Sequence, residues 1–365
     1  MLALRGDRDW RNDGERHETG PAATVKALVK RASGPGQLAL VDLPDPHPGP
    51  GQVVIRMAAG ALCGTDLHIA HGTFPCRPPL VLGHELAGVV AEVGPGVESV
   101  RVGDPVTTET DASFCGRCAY CRAGDMHLCP ERTGIGTTAD GGFAEYVAVP
   151  AGGVHRLPDD VGPAAGALTE PLAVAVHAVV ERGQVRPGER VVVLGPGTVG
   201  LLAAQVALAQ GADVTVAGLA RHADRFRLAA ELGVTATAAL DVPGELEAIV
   251  VRADGLGVDR AIECSGTEEG LDRAIRLLRK GGWLVQVGFF GTPQVRIDLD
   301  TLVNRELTLV ASRGKRPTSF RIALDLLRAG RVDPGRLITG RFPLEAWEAA
   351  FAAAEAPGSK VLIEM

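Results

Sequence analysis

Aromatic residues are scarce in this chain: Phe, Trp and Tyr together make up 4 % of it. Basic charge is not in excess either. There are 37 Lys and Arg against 44 Asp and Glu, a formal net charge of −7. That balance argues against a surface built for nucleic-acid phosphates, and no nucleic-acid partner is expected. No apolar run reaches the ~18–20 residues needed to cross a bilayer, so no membrane partner is expected. A disulfide framework is not expected: the seven cysteines are an odd number and no secretory leader is expected, so a reducing, cytoplasmic setting is expected. Residues 1–24 carry Arg5, Arg8, Arg11 and Arg16 but also Asp7, Asp9, Asp13, Glu15 and Glu18. Targeting peptides are poor in acids, so this stretch is expected to be a disordered N-terminal tail.

What the chain does have is length, glycine and proline. Its 365 residues exceed one ordinary core, so two domains are expected. Short strands punctuated by the 47 Gly and 24 Pro fill the first part. The expected strands are Lys26–Lys30, Gln52–Ala58, Leu86–Val93 and Val106–Glu109, with 34–51 as extended loop. This suggests a partly open β-barrel-like domain to about residue 155. An Ala-rich helix over Pro163–Arg182 comes next. Strands then alternate with helices: Arg190–Leu194, Val199–Gln210, Asp213–Ala217, Ala223–Leu232, Asp259–Glu263, Leu271–Arg279 and Trp283–Val287. That alternation predicts an α/β fold with a doubly wound parallel sheet. Two further helices, near Phe320–Arg328 and Leu344–Ala354, precede a last strand, Lys360–Ile363, that can return to the first domain.

The strand Arg190–Leu194 runs into Gly195-Pro196-Gly197-Thr198-Val199-Gly200 and then a helix. This is the context in which a G-x-G-x-x-G turn binds a dinucleotide. Gly195 permits the tight turn, Gly197 lets a pyrophosphate approach the backbone, and Gly200 lets helix and strand pack closely. Sites selective for NAD usually have an acid at the end of the second strand. Here Gly218 stands there, with Arg221 and Arg225 beyond it. Lacking the acid and offering arginines, the pattern leans toward NADP over NAD.

Two cysteine–histidine sets remain. Cys115, Cys118, Cys121 and Cys129 fall within fifteen residues, spaced C-x2-C-x2-C-x7-C. Four thiolates close a tetrahedral shell around zinc and leave no open position, so this site is expected to be structural. Cys63 and His84 form a sparser set. Glu85 and Glu170 are both candidates for its third ligand, and such a set can keep a position free for substrate. Asp66 can orient the ligands from behind or serve as a plain turn residue. His71, His127 and His177 are expected to pack or face solvent. Cys76 and Cys264 are expected to be free thiols.

Gly83-His84-Glu85-x2-Gly88-x5-Gly94-x2-Val97, Cys63-x20-His84, the four-cysteine lobe and Gly195–Gly200 occur in one order. Together they resemble the zinc-containing alcohol dehydrogenases of the medium-chain dehydrogenase/reductase superfamily, over about residues 25–365. The resemblance implies a GroES-like catalytic domain from 25–178 and 313–365 and a Rossmann nucleotide domain from 179–312. It also implies two zinc ions per chain, NAD or NADP, a small alcohol or ketone substrate and a homo-oligomer, dimer or tetramer. Cys63-Gly-Thr-Asp-Leu-His68 resembles the polyol and threonine dehydrogenases. Glu170-Pro-Leu-Ala resembles sorbitol (L-iditol) 2-dehydrogenases and butanediol dehydrogenases, so the closest likeness is to sorbitol (L-iditol) 2-dehydrogenases. The alternatives are threonine or 2,3-butanediol dehydrogenases and biosynthetic amino-sugar or cyclitol dehydrogenases. Thr65 is implied to take the substrate proton and His68 to pass it outward. Thr198, Val199 and Gly218 are implied cofactor contacts, and Glu263–Gly266 lies on the nicotinamide side. Arg313 falls where sorbitol dehydrogenases have an active-site arginine. Ile69 replaces an aromatic residue expected to line their pocket.

Overall fold

The structure is a computed structural model in which residues 24–292 and 294–365 are described. The expected tail lies outside the described residues except Thr24, which already begins a strand. The chain divides into two compact units, one ending at Glu170 and resumed over Ile338–Met365, the other Pro171–Leu337.

The first unit opens with β1 (Thr24–Lys30), β2 (Leu38–Pro44) and β3 (Gln52–Ala61), followed by α1 (Gly64–Ala70). Next come β4 (Leu80–Val81), β5 (Glu85–Val93), β6 (Pro105–Thr108) and β7 (Asp111–Ser113). After α2 (Ala119–Arg122) come β8 (Thr133–Gly134), β9 (Tyr146–Pro150), β10 (Val154–Arg156) and α3 (Pro163–Ala167). The helix α4 (Thr169–Val176) spans the division between the units. Residues 34–51 are therefore not all loop. Residues 38–44 pair antiparallel with β1 along its whole length; Pro44 only ends the strand, and the other prolines fall outside the ladder.

The second unit runs β11 (Arg190–Leu194), α5 (Thr198–Ala209), β12 (Asp213–Gly218), α6 (Ala223–Glu231) and β13 (Ala236–Ala239). It continues with α7 (Glu245–Arg252), β14 (Val258–Glu263), α8 (Glu268–Leu277), β15 (Leu278–Gln286), α9 (Leu299–Asn304), β16 (Thr308–Ala311) and α10 (Pro317–Arg328). The chain then returns to the first unit as β17 (Gly340–Pro343), α11 (Trp347–Ala354) and β18 (Val361–Glu364).

In the second unit the parallel strands are ordered β13-β12-β11-β14-β15-β16. This is the order of a doubly wound dinucleotide fold, with its crevice between β11 and β14 where the winding reverses. Val192, Leu194, Ala261 and Leu284 meet Leu271, Ala274 and Ile275 of α8 in one core. The 3–4 residue spacing on α8 puts those three on a single face. The second compact unit, Pro171–Leu337, is wider than the expected 179–312. Glu181 accepts hydrogen bonds from Thr318 and from Ser319 Oγ at 3.0 Å, and Arg182 Nε donates to Ala311 O at 3.0 Å. These bonds tie the region around α10 to residues 181–182. The expected helix over 163–182 is also broken, into α3, α4 and a wider π-turn at His177–Arg182.

In the first unit a seven-stranded sheet is ordered β10-β6-β5-β3-β18-β17, with β9 also paired to β3. The expected return of the chain end is present: β18 pairs antiparallel with Ala59–Ala61 of β3. Leu28, Ile69, Leu82, Phe143, Phe351 and Ile363 close the core beneath it. Gly83 lies at φ +93°, and a Cβ there would stand 2.6 Å from the Phe143 ring. Glycine at this point lets the chain pass against Phe143 immediately before His84.

Candidate metal centres and nucleotide site

The four-cysteine lobe lies between β7 and β8. Cys118 precedes α2, and its sulfur accepts from Cys121 N–H at 3.5 Å. Cys118 Sγ is 3.5 Å from Cys121 Sγ, Cys115 Sγ is 3.8 Å from Cys121 Sγ, and Cys129 Sγ is 3.6 Å from Cys115 Sγ. Zinc–sulfur arms of ~2.3 Å make a tetrahedron with edges of about 3.8 Å. The lobe therefore has the dimensions of a zinc shell. Backbone N–H groups of Arg117 and Cys118 point at Cys115 and lower its thiol to about 6. Four adjacent thiolates repel one another, so the set ionises completely only around a cation. Arg132 braces the base through Asp111 and through Thr110 Oγ1 at 3.0 Å.

The second set sits where α1 and β5 begin. Donor atoms of Cys63, His84 and Glu85 lie within 4.8 Å of one another. Asp66 Oδ2 accepts from Cys63 N–H at 2.9 Å and closes the start of α1. Its other oxygen lies 3.5 Å from His84 Nδ1. Asp66 is fully buried between the Cys63 backbone and the His84 ring. With Nδ1 facing Asp66, Nε2 of His84 is the ring atom available to a metal, an arrangement in which a carboxylate fixes the ring. Burial disfavours a charged His84, but Asp66 and Cys63 outweigh it and raise its proton affinity.

Glu170, in the first turn of α4, is buried beside this set without joining its tight triad. Burial pushes the Glu85 carboxyl up to about 7; Lys360 opposes the shift and the like charge of Glu170 adds to it. Lys360 was not legible as a site residue. It is 3 % exposed, its Nζ lies 2.5 Å from Glu85 Oε2, and it donates to Leu62 O at 2.9 Å. The only hint in the sequence is a lysine placed directly before the apolar strand β18. One ammonium thus stands among three acids, Cys63, Glu85 and Glu170, in a buried pocket. Thiol, imidazole and carboxylate donors brought together in one set fit a divalent zinc.

Thr65 and His68 lie three residues apart on α1, hence on one helix face. Thr65 is half-buried and His68 exposed, with His68 Nδ1 3.3 Å from Thr73 Oγ1. Ile69 packs into the core. It therefore does not stand in for a pocket-lining aromatic. Arg313 is exposed and belongs to the second unit, not to the one holding the triad. Among the other histidines, His177 is buried with Nδ1 2.5 Å from Glu181 Oε2, His127 is buried, and His71 meets Glu355 at 3.0 Å. All seven cysteines, Cys76 and Cys264 included, are free of disulfides.

The Gly195–Gly200 turn joins β11 to α5, with Gly197 capping the helix. A Cβ on Gly200 would lie 2.0 Å from Gly195 O, so close packing alone demands glycine there. Gly197 differs: a Cβ would meet nothing within 4 Å, and its φ of −72° suits any residue. The fold does not require glycine at 197, whereas a pyrophosphate resting on the helix start would. Across the crevice, Glu263 ends β14 and accepts from Ser265 N–H at 2.8 Å, Gly266 N–H at 3.0 Å and Gln286 Nε2 at 2.7 Å. Those bonds fix the Cys264–Gly266 loop beside Gly195.

Residues 49–159 match the alcohol dehydrogenase GroES-like domain, and residues 198–329 match the zinc-binding dehydrogenase domain. A sorbitol dehydrogenase from Halalkalibacterium halodurans is 38 % identical over 90 % of this chain and 95 % of its own. An L-threonine 3-dehydrogenase from Streptomyces avermitilis is 38 % identical over 93 % of this chain and 99 % of its own. The solved structure of a zinc-binding dehydrogenase from Sinorhizobium meliloti 1021 bound to NADP is similar at a TM-score of 0.87 and 35 % identity, covering 94 % of this chain and 100 % of that one. With both family domains matched in order and relatives of this identity spanning nine-tenths of its length, the chain belongs to the zinc-binding alcohol dehydrogenases, a GroES-like domain joined to a Rossmann domain.

Proposed function

We propose that the chain moves a hydride between a secondary alcohol of the polyol class and a nicotinamide dinucleotide, at a zinc held by Cys63, His84 and Glu85. The observation that carries this reading is the convergence of those three donors within 4.8 Å beside buried Glu170 and Lys360. Glu170 within Thr169-Glu170-Pro171, together with the sorbitol dehydrogenase relative, supports polyols over simple alcohols.

Zinc, when bound, supplies a Lewis acid that lowers the pKa of an alcohol hydroxyl. Asp66 holds His84 and the Cys63 backbone in register. Lys360 offsets the acids, and Glu170 lies beside Glu85 where it can exchange roles with it. The Thr65 hydroxyl relays the substrate proton, accepting it as it gives its own hydrogen onward, and exposed His68 passes a proton to solvent. A second reading, oxidation of L-threonine, is favoured by the equally similar threonine dehydrogenase. Rates for sorbitol, xylitol, 2,3-butanediol and L-threonine with NAD and NADP separate the two. A polyol is expected to have the highest kcat/KM; a clear lead for threonine sinks the polyol assignment.

The glycine turn allows a paired test. Gly197→Ala is expected to leave stability unchanged and to weaken dinucleotide binding about tenfold or more, as the added methyl occupies space a phosphate would need. Gly200→Ala is expected to destabilise the protein by about 1–3 kcal/mol through overpacking. Thermal unfolding and dinucleotide titration of both variants read the contrast. Equal effects at the two sites would refute the separate roles.

Cys118→Ser tests the lobe. It is expected to reduce bound zinc from two to one per chain and to expose residues 115–129 to limited proteolysis. A variant that keeps two zinc ions and full protease resistance would remove the structural-site reading.

A further inference from the structure

The turn that follows α1 is exposed but braced from inside the first unit. Lys30, the last residue of β1, is fully buried. Its Nζ donates to Gly34 O and, at 2.5 Å, to Gly36 O, so an interior ammonium pins the loop 31–37 from beneath. Releasing those carbonyls would leave a buried charge without acceptors, which is costly, and the loop is held accordingly. The loop in turn fixes the end of α1. Gly36 N–H donates to Ala70 O at 2.7 Å. Gly72, at φ +73°, lies so close that a Cβ would stand 2.6 Å from Gly34 C and 2.8 Å from Pro35 N.

The braced turn carries Thr73 back to His68. The N–H groups of Thr73 and Phe74 reach His68 O at 2.9 and 3.2 Å. Thr73 Oγ1 lies 3.2 Å from that same carbonyl oxygen and 3.3 Å from His68 Nδ1. A carbonyl only accepts, and a hydroxyl has one hydrogen to give. Both contacts are therefore satisfied together in one way: the hydroxyl donates to His68 O, and its oxygen accepts from Nδ1–H. The proton of the neutral ring then sits on Nδ1, and Nε2 keeps its lone pair. A nitrogen that is to receive a proton needs that lone pair.

We propose that Thr73 is a positioning residue for the proton relay: it holds the His68 ring and selects the tautomer whose Nε2 is the basic nitrogen. Lys30 acts one step further back, by keeping the turn where one hydroxyl reaches both atoms. A neutral hydrogen bond at the surface is weak by itself. The brace makes it persistent, because the turn has little freedom left to lose when the bond forms. The proposal rests on the relay reading above, in which His68 passes the proton outward.

The ring nitrogens of the zinc-loaded protein, its nine histidines labelled with 15N, report the tautomer by NMR. The His68 signals are assigned as those lost in His68→Gln. Nδ1–H is expected in the wild type and in Thr73→Ser. Thr73→Val has nearly the same shape without the hydroxyl, and its ring should move to mainly Nε2–H. With the best alcohol substrate, kcat of Thr73→Val should fall about three- to tenfold, a fraction of what a full acid–base group contributes, with KM within about twofold. Thr73→Ser should restore it. A wild-type ring protonated on Nε2, an unshifted tautomer in Thr73→Val, or a shifted tautomer with unchanged kcat overturns the role of Thr73 but not the relay. A His68→Gln variant with wild-type kcat overturns the relay itself, and this proposal with it.

Discussion

Cys63→Ser is expected to lower kcat/KM on the best polyol by roughly a thousandfold or more, about 4 kcal/mol of barrier, in a protein that stays folded. The two consequences separate because of where the sulfur sits. Cys63 immediately precedes α1, half-buried, and the contact that closes the helix start is made by its backbone N–H to Asp66, not by its side chain. Serine keeps that hydrogen bond and nearly the same volume. It loses the thiolate, the donor that best holds zinc beside one imidazole and one carboxylate. Zinc analysis should fall from two to one per chain, with the four-cysteine lobe still loaded. Circular dichroism and thermal unfolding should stay close to wild type once both proteins are compared without the catalytic metal. Near-wild-type turnover would show that the hydride transfer does not depend on this set. A Cys63→Ser protein that fails to fold is separated by His84→Ala, which removes a second ligand without touching the start of α1.

The parts of the site that could be read from the sequence are those whose chemistry is local. The cysteine lobe closes within fifteen residues, and the glycine turn lies between its own strand and helix, so spacing alone carried them. The choice between Glu85 and Glu170 could not be read, because both carboxylates are chemically suited. Only the fold brings Glu85 into the triad with Cys63 and His84. Lys360 was hidden for a related reason. It comes 297 positions after Cys63, and only the antiparallel pairing of β18 with β3 brings the chain end back to Leu62. The pocket position of Ile69 was implied by resemblance alone, and only the fold shows its side chain packed in the core with Leu28 and Phe143. The strand β2 was missed because prolines flank it, while its partner β1 supplies the ladder.

Lys360→Met is expected to destabilise the metal-free protein by about 3–5 kcal/mol, the usual cost of breaking a buried ion pair by removing one partner. Methionine is close in length and fills the space, so the loss is electrostatic and not a cavity. Glu85, 1 % exposed, would lose its ammonium, and Leu62 O would lose a donor. Units of this size shift by about 2–4 °C per kcal/mol, so the unfolding midpoint of the metal-free variant should drop by roughly 10 °C. Zinc changes the balance. Once a dication is held by Cys63, His84 and Glu85, it supplies the counter-charge that Lys360 had supplied, and the difference between variant and wild type should shrink. The same logic makes Lys360 the residue that keeps the empty and loaded sites both foldable, since Cys63, Glu85 and Glu170 otherwise face one another in a buried pocket. Lys360→Arg should recover part of the metal-free stability, because charge is restored even if the hydrogen bond to Leu62 is not. A Lys360→Met protein equally stable with and without zinc, and equal to wild type in both states, would mean that the pair with Glu85 contributes nothing to holding the site.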